Sequence, residues 1–254
     1  MSCATFYYPL ILITTYLIFT NRLIIMPESE NLRSIRSFVR RNGRITPAQQ
    51  RALDTLSARY VIEPHENLDL NQLFGRTATK HLEIGFGRGE TLLAMALAHP
   101  ENDYLGIEVH LPGVGHVLNE AAKLGLNNVQ VICIDAVEVL EKYFSDNSLD
   151  CVYIFFPDPW HKARHHKRRL IQENFLALLA RRVKIHGYVQ LATDWEDYAQ
   201  QMLQLFENTD KFQNCVSQNS FAPRCEERPL TKFERRGQRL GHGVWDLCYQ
   251  RVIG

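Results

Sequence analysis

At 254 residues, with 45% hydrophobic and 22% charged positions and 29 Lys plus Arg against 28 Asp plus Glu, the chain has the balance of a folded globular protein. With 14 Gly and 10 Pro it is neither collagen-like nor of low complexity. The six cysteines (Cys3, Cys133, Cys151, Cys215, Cys225, Cys248) are scattered without a C-x-x-C pair, which argues against a disulfide framework or zinc cluster and for a reducing, cytoplasmic compartment.

The run from Phe6 to Ile25 is almost wholly apolar, and Arg22 is the single charge in the first 25 residues. No basic residue precedes the run and Thr20-Asn21-Arg22 interrupts it, so it makes a poor export signal and a marginal membrane span. Met26-Pro27-Glu28-Ser29-Glu30 opens like an ordinary polar amino terminus. The expectation is a translation start at Met26, with residues 1–25 an upstream extension and no stable membrane association. From Asn31 to Leu53 there are six arginines (Arg33, Arg36, Arg40, Arg41, Arg44, Arg51) and no acid. Gly43 and Pro47 interrupt any long helix there, and residues 26–75 read as a basic arm ahead of one α/β domain over 76–254.

From His81 onward, short β-branched runs alternate with helical stretches. Strands are expected at His81–Gly85, Tyr104–Glu108, Val129–Ile134, Leu149–Phe155, Tyr188–Ala192 and Leu247–Val252. Amphipathic helices are expected at Thr91–Ala98, Val114–Leu124, Leu170–Val183 and Trp195–Phe206. This alternation predicts an α/β fold with a mostly parallel central sheet and helices on both faces.

The first strand runs into Glu83-Ile84-Gly85-Phe86-Gly87-Arg88-Gly89 and then a helix, where glycines let a backbone approach a nucleotide-like ligand. The third glycine comes one residue too early for G-x-G-x-x-G, so the loop suits S-adenosylmethionine better than a dinucleotide. Glu108, closing the second strand, can accept both hydroxyls of a ribose, and Asp135, closing the third, can reach an adenine amino group. Singly, such features are tight turns or helix caps. In order on successive strand ends, they make a cofactor site.

The fourth strand ends in Phe155-Phe156-Pro157-Asp158-Pro159-Trp160-His161-Lys162. Two prolines restrict the backbone around Asp158, a candidate catalytic group, and Trp160 offers a face for a base. Lys162, Arg164, Lys167, Arg168 and Arg169 follow, then Arg181, Arg182 and Lys184. Residues 31–53, 161–184 and 224–239 hold 20 of the 29 basic residues and 4 of the 28 acids. Positive charge so concentrated, with two of the segments flanking the expected site, points to a polyanion, RNA or DNA. His161, His165 and His166 sit among five cations, which argues against a metal.

These motifs, with Gly106-Ile107-Glu108-Val109-His110, Ala192-Thr193-Asp194-Trp195 and Thr231-Lys232-Phe233-Glu234-Arg235-Arg236-Gly237, resemble those of the bacterial tRNA (guanine-N7)-methyltransferases from Met26 to the carboxyl terminus. The resemblance implies a Rossmann-like class I methyltransferase that transfers a methyl group from S-adenosylmethionine to N7 of a guanine in the tRNA variable loop. It implies cofactor contacts at Glu83, Glu108, Asp135 and Asp158, beside Gly85 and Gly87 of the loop. It also implies substrate contacts at Lys162, Asp194, Thr231, Lys232, Phe233 and Glu234, and RNA contacts at Arg164, His165, His166, Lys167, Arg168 and Arg169. Residues 1–25 have no counterpart in the family pattern. An exocyclic-amine methyltransferase would want D-P-P-Y where this chain has Asp158-Pro159-Trp160. A non-catalytic RNA-binding protein would not keep all four cofactor acids.

Overall fold

The computed structural model describes residues 43–226, 228–230, 234 and 243–252. The expectations for residues 1–42, including the start at Met26 and Arg33 to Arg41, lie outside the described residues, as do those for Thr231 to Phe233.

The described chain opens with helix α1 (Pro47–Tyr60). Pro47 does not interrupt this helix but begins it: proline's missing N–H costs nothing in the first turn. Thr46 and Gln49 close a reciprocal capping box around it. Tyr60 is buried and donates to the Leu126 carbonyl at 3.1 Å, and Ile62 N–H donates to the Val131 carbonyl at 2.9 Å. This part of the expected basic arm is therefore built into the domain. A short helix, α2 (Leu70–Phe74), follows, capped by Asp69.

The alternating region comprises β1 (Lys80–Ile84), α3 (Glu90–Ala98), β2 (Asp103–Ile107), α4 (Leu111–Lys123), β3 (Val129–Ile132), α5 (Ala136–Lys142) and β4 (Leu149–Phe155). A 3₁₀ turn (Ala163–Arg168), α6 (Glu173–Arg182), β5 (Val183–Thr193), α7 (Glu196–Glu207), β6 (Phe212–Asn214) and β7 (Trp245–Arg251) complete it. The sheet order is β3-β2-β1-β4-β5-β7-β6. β1 to β5 are parallel, and β7 runs antiparallel to both β5 and β6.

Side-chain alternation divides the core into two layers. Val152 and Ile154 of β4 face a core shared with α5, α6 and α7, whereas Cys151, Tyr153 and Phe155 face one shared with α1, α3 and α4. Each fully buried Leu, Ile or Phe in these layers stabilises the fold by roughly 1.5–3 kcal/mol. With both faces covered, ligands have access at the strand ends, and in open α/β sheets they meet the carboxyl ends. Among the described residues, no helix is long and apolar enough to cross a membrane.

Candidate active site

The carboxyl ends of β1 to β4 border a cleft of about 220 Å³, lined among others by Gly85, Glu108, Asp135, Phe156, Pro157 and Asp158. Gly85, Gly87 and Gly89 all have positive φ, at 72°, 57° and 69°. Only glycine takes that conformation readily, which is why the loop is written with three of them. A Cβ on Gly85 or Gly87 would meet nothing within 4 Å, so the loop leaves open space beside the backbone. On the loop's other side a Cβ at Gly113 would stand 2.1 Å from the Gly87 carbonyl oxygen; α4 thus packs directly against the loop.

Glu108 ties these parts together. Its carboxylate accepts from the N–H groups of Gly87 at 2.8 Å, Val109 at 2.7 Å and His110 at 2.9 Å. A carboxylate has about four lone-pair sites, so this acid both braces the loop and presents acceptor capacity to the cleft. Asp135 caps α5 by accepting from Glu138 N–H at 3.1 Å and also lines the cleft.

Glu83 lies deeper, 5% exposed, and its Oε2 finds no hydrogen-bond partner among the described residues. Burial pushes this carboxyl up to about 8, with the charge of Glu108 adding to the rise and the Leu92 amide opposing it. An orphaned buried acceptor beside an open glycine loop fits a ligand that brings a hydrogen-bond donor or cation. The raised value also makes a stability prediction. The stability Glu83 contributes is complete below its unfolded value near 4.5 and is lost as pH rises through about 8. In thermal melts of the unliganded protein, Glu83→Gln should therefore gain on the parent between pH 5 and pH 8.5. A constant difference across that range would show that Glu83 ionises freely.

Asp158 is exposed between two residues of positive φ, Phe156 at 52° and Trp160 at 47°. Neither is glycine, and each such conformation costs about 1–3 kcal/mol and persists only where the surroundings enforce it. Three contacts do. Phe156 N–H donates to the Ala192 carbonyl at 2.7 Å, which sets the turn against the end of β5 where Asp194 begins the next loop. Arg169, 2% exposed, donates from Nε to the Pro159 carbonyl at 2.9 Å. Arg228, 1% exposed, lies 5.4 Å and 5.2 Å from the ring centroids of Phe155 and Phe156.

The sequence-predicted residues thus separate. Gly85, Glu108, Asp135 and Asp158 meet around one cleft, with Gly87 tied to Glu108, Glu83 buried near the end of β1 and Asp194 on the adjoining strand end. Lys162, Arg164 and Lys167 are exposed and His165, His166 and Arg168 half-buried, with the Arg168 guanidinium 4.7 Å from the Trp160 ring centroid. The face of Trp160 pictured as open to a base is thus shared with Arg168. Arg169 turns inward: it pairs with Asp197 at 2.5 Å, donates to Gln201 at 2.5 Å and stacks on Tyr198 at 4.7 Å. Arg181 and Arg182 pair with Asp146, and Lys184 with Asp150, where α6 ends and β5 begins. That is the amino-terminal end of the parallel strands, opposite the cleft, so these three cations do not flank the site.

Glu234 is 1% exposed, its carboxylate held by Arg224 at 2.8 Å and by Arg228 at 2.8 Å, while Arg228 also pairs with Asp246 at 2.9 Å. This buried ionic cluster anchors the end of the Thr231-Lys232-Phe233-Glu234 motif beneath the Phe155-Phe156 turn. Sequence reasoning did not single out Arg228 or Asp246, because their partners lie at unrelated spacings. Among the described residues, no group of three or more His, Cys, Asp or Glu is arranged to hold a metal.

The profile of a family described as "Putative methyltransferase" matches residues 77–247. The tRNA (guanine-N(7)-)-methyltransferase of Edwardsiella ictaluri is 55% identical over 222 residues, covering 87% of this chain and 93% of that protein. Its namesake in Sodalis glossinidius is 52% identical over 238 residues, covering 91% and 98%. Among solved structures, the 16S rRNA methyltransferase KamB superposes with a TM-score of 0.56 at 15% identity, covering 77% of this chain and 99% of that one, a likeness of fold. With relatives of this similarity over nearly their whole length, the chain belongs to the tRNA (guanine-N(7)-)-methyltransferase family.

Proposed function

We propose that this protein methylates N7 of guanine 46 in the tRNA variable loop with S-adenosylmethionine as methyl donor, working in the cytoplasm. The observation that carries the reading is the convergence of Gly85, Glu108, Asp135 and Asp158 on one cleft at the carboxyl ends of the parallel strands, with Glu83 buried near the end of β1. In this reading Glu108 and Asp135 accept from the ribose and the adenine, and Glu83 and the loop take the charged amino-acid end of the cofactor. When bound, S-adenosylmethionine supplies an electrophilic methyl group.

Guanine N7 carries an in-plane lone pair and no proton, so the chain needs no general base. Its work is alignment and stabilisation of the positive charge that grows on the purine. Asp158 and Asp194 accept hydrogen bonds from guanine N1–H and N2–H, which grow more acidic as N7 becomes cationic. These interactions therefore strengthen toward the transition state. Arg164, His165, His166, Lys167 and Arg168 hold the RNA, Lys162 and Thr231 to Phe233 contact the substrate, and Glu234 acts by holding Arg224 and Arg228 rather than by touching the substrate.

The deciding experiment incubates the protein with labelled S-adenosylmethionine and tRNA lacking the modification, then maps the labelled nucleoside. Label in N7-methylguanosine at position 46 is the expected result. Label on an exocyclic amine, or none, overturns it.

A further inference from the structure

A second cavity, of about 270 Å³, shares no lining residue with the cleft; Cys215, Cys225, Cys248, Arg224 and Gln190 help to line it. None of these cysteines has a part in methyl transfer. Cys215 follows β6 directly and continues its register, standing opposite Cys248 of β7 one step beyond the Asn214–Tyr249 pair. Its N–H donates to the Cys248 carbonyl at 2.9 Å. Hydrogen-bonded antiparallel neighbours have Cα atoms about 5.5 Å apart, within the span a disulfide bridges. The two Sγ atoms are already 3.1 Å apart. Closing to a bonded separation of about 2.05 Å takes a small side-chain movement and no rearrangement of the strands.

The pair is asymmetric. Cys215 is exposed and Cys248 half-buried. The hydrogen bond from Cys248 lowers the Cys215 thiol below its ordinary value, with burial opposing, whereas that same contact and then burial raise Cys248. Cys215 is thus the accessible nucleophile and Cys248 the resolving thiol beside it. The cavity they share opens beside Cys215, and its charged lining residues are both in ion pairs, Arg224 with Glu234 and Asp246 with Arg228.

We propose that Cys215 and Cys248 form a thiol–disulfide exchange site for small disulfides, of which oxidised glutathione is the probe used. The Cys215 thiolate attacks one sulfur of the small disulfide and breaks its S–S bond. A mixed disulfide remains on Cys215 and one small thiolate leaves, taking a proton from solvent. Cys248 then gives its proton to solvent, and its sulfur attacks the Cys215 sulfur and expels the second small thiol. Two protein thiols become one disulfide and the oxidant becomes two thiols. The product joins the edge strand β6 to β7, the strand whose Asp246 holds Arg228, and a reducing thiol pool reverses it.

The test exposes the full chain to oxidised glutathione, quenches with acid, alkylates the remaining thiols and maps the peptides by mass spectrometry. Expected are the Cys215 and Cys248 peptides joined, two hydrogens lighter, with a melting temperature higher by several degrees because the cross-link restricts the unfolded chain. Cys248→Ser should stop at a stable glutathione adduct on Cys215. Alkylation of Cys215 and Cys248 at full yield while Cys133, Cys151 or Cys225 oxidises overturns the proposal, and so does an adduct on another cysteine in the Cys248→Ser protein. Mapping of the parent protein decides the matter even where the serine variant folds poorly.

Discussion

Asp158→Asn is expected to lower turnover by on the order of 100-fold, comparable to removing one preorganised electrostatic partner in other enzymes. Asparagine matches aspartate in size and can occupy the same place between Pro157 and Pro159, so the loop keeps its shape and only the charge is lost. A charge that acts on a purine becoming cationic matters most in the transition state. Turnover should accordingly fall much further than the affinity for tRNA or S-adenosylmethionine. Single-turnover rates with both substrates saturating isolate the chemical step. A parental rate would leave Asp158 a residue that only shapes the turn.

Much of this site is legible in the sequence because strand ends and glycine loops follow local rules. The positive φ values at Gly85, Gly87 and Gly89 are written as glycines, and β4 shows itself as an unbroken apolar run from Cys151 to Phe155. The expected strands and helices fall within a few residues of the observed ones, except that β5 begins at Val183 rather than Tyr188. β6 escaped notice because it has three residues, of which Phe212 alone is buried. α1 did so because a proline at the first position of a helix looks, without its Thr46–Gln49 box, like one that breaks it. The antiparallel direction of β7 is set by its partners β5 and β6 and by no pattern of its own. Charge runs are the least legible of all. Arg164, Arg169 and Arg182 read alike in a basic segment, yet one is in solvent, one is clamped under the Asp158 turn and one is buried at the amino-terminal end of β5.

That difference is measurable at Arg169. If its work is to hold the Pro159 carbonyl, Arg169→Met should slow turnover by about 10-fold to 100-fold, since displacing a catalytic group by about 1 Å costs of that order. The substitution is mild to the fold: methionine can still pack on Tyr198, and Asp197, 63% exposed at its side chain, stays hydrated when its partner is gone. The affinity for tRNA should keep its dependence on salt, because no phosphate contact has been removed. Arg168→Met, by contrast, should reduce the slope of log affinity against log salt by about one unit for a lost phosphate contact, with a smaller effect on the chemical step. Arg169→Lys refines the comparison. It keeps the positive charge but not the planar fork that reaches Pro159, Gln201 and Asp197 together, so it should lose turnover nearly as far as the methionine variant. A reduced salt slope in Arg169→Met with turnover unchanged would return Arg169 to the RNA surface and leave the Asp158 turn to Arg228 and the Phe156–Ala192 hydrogen bond.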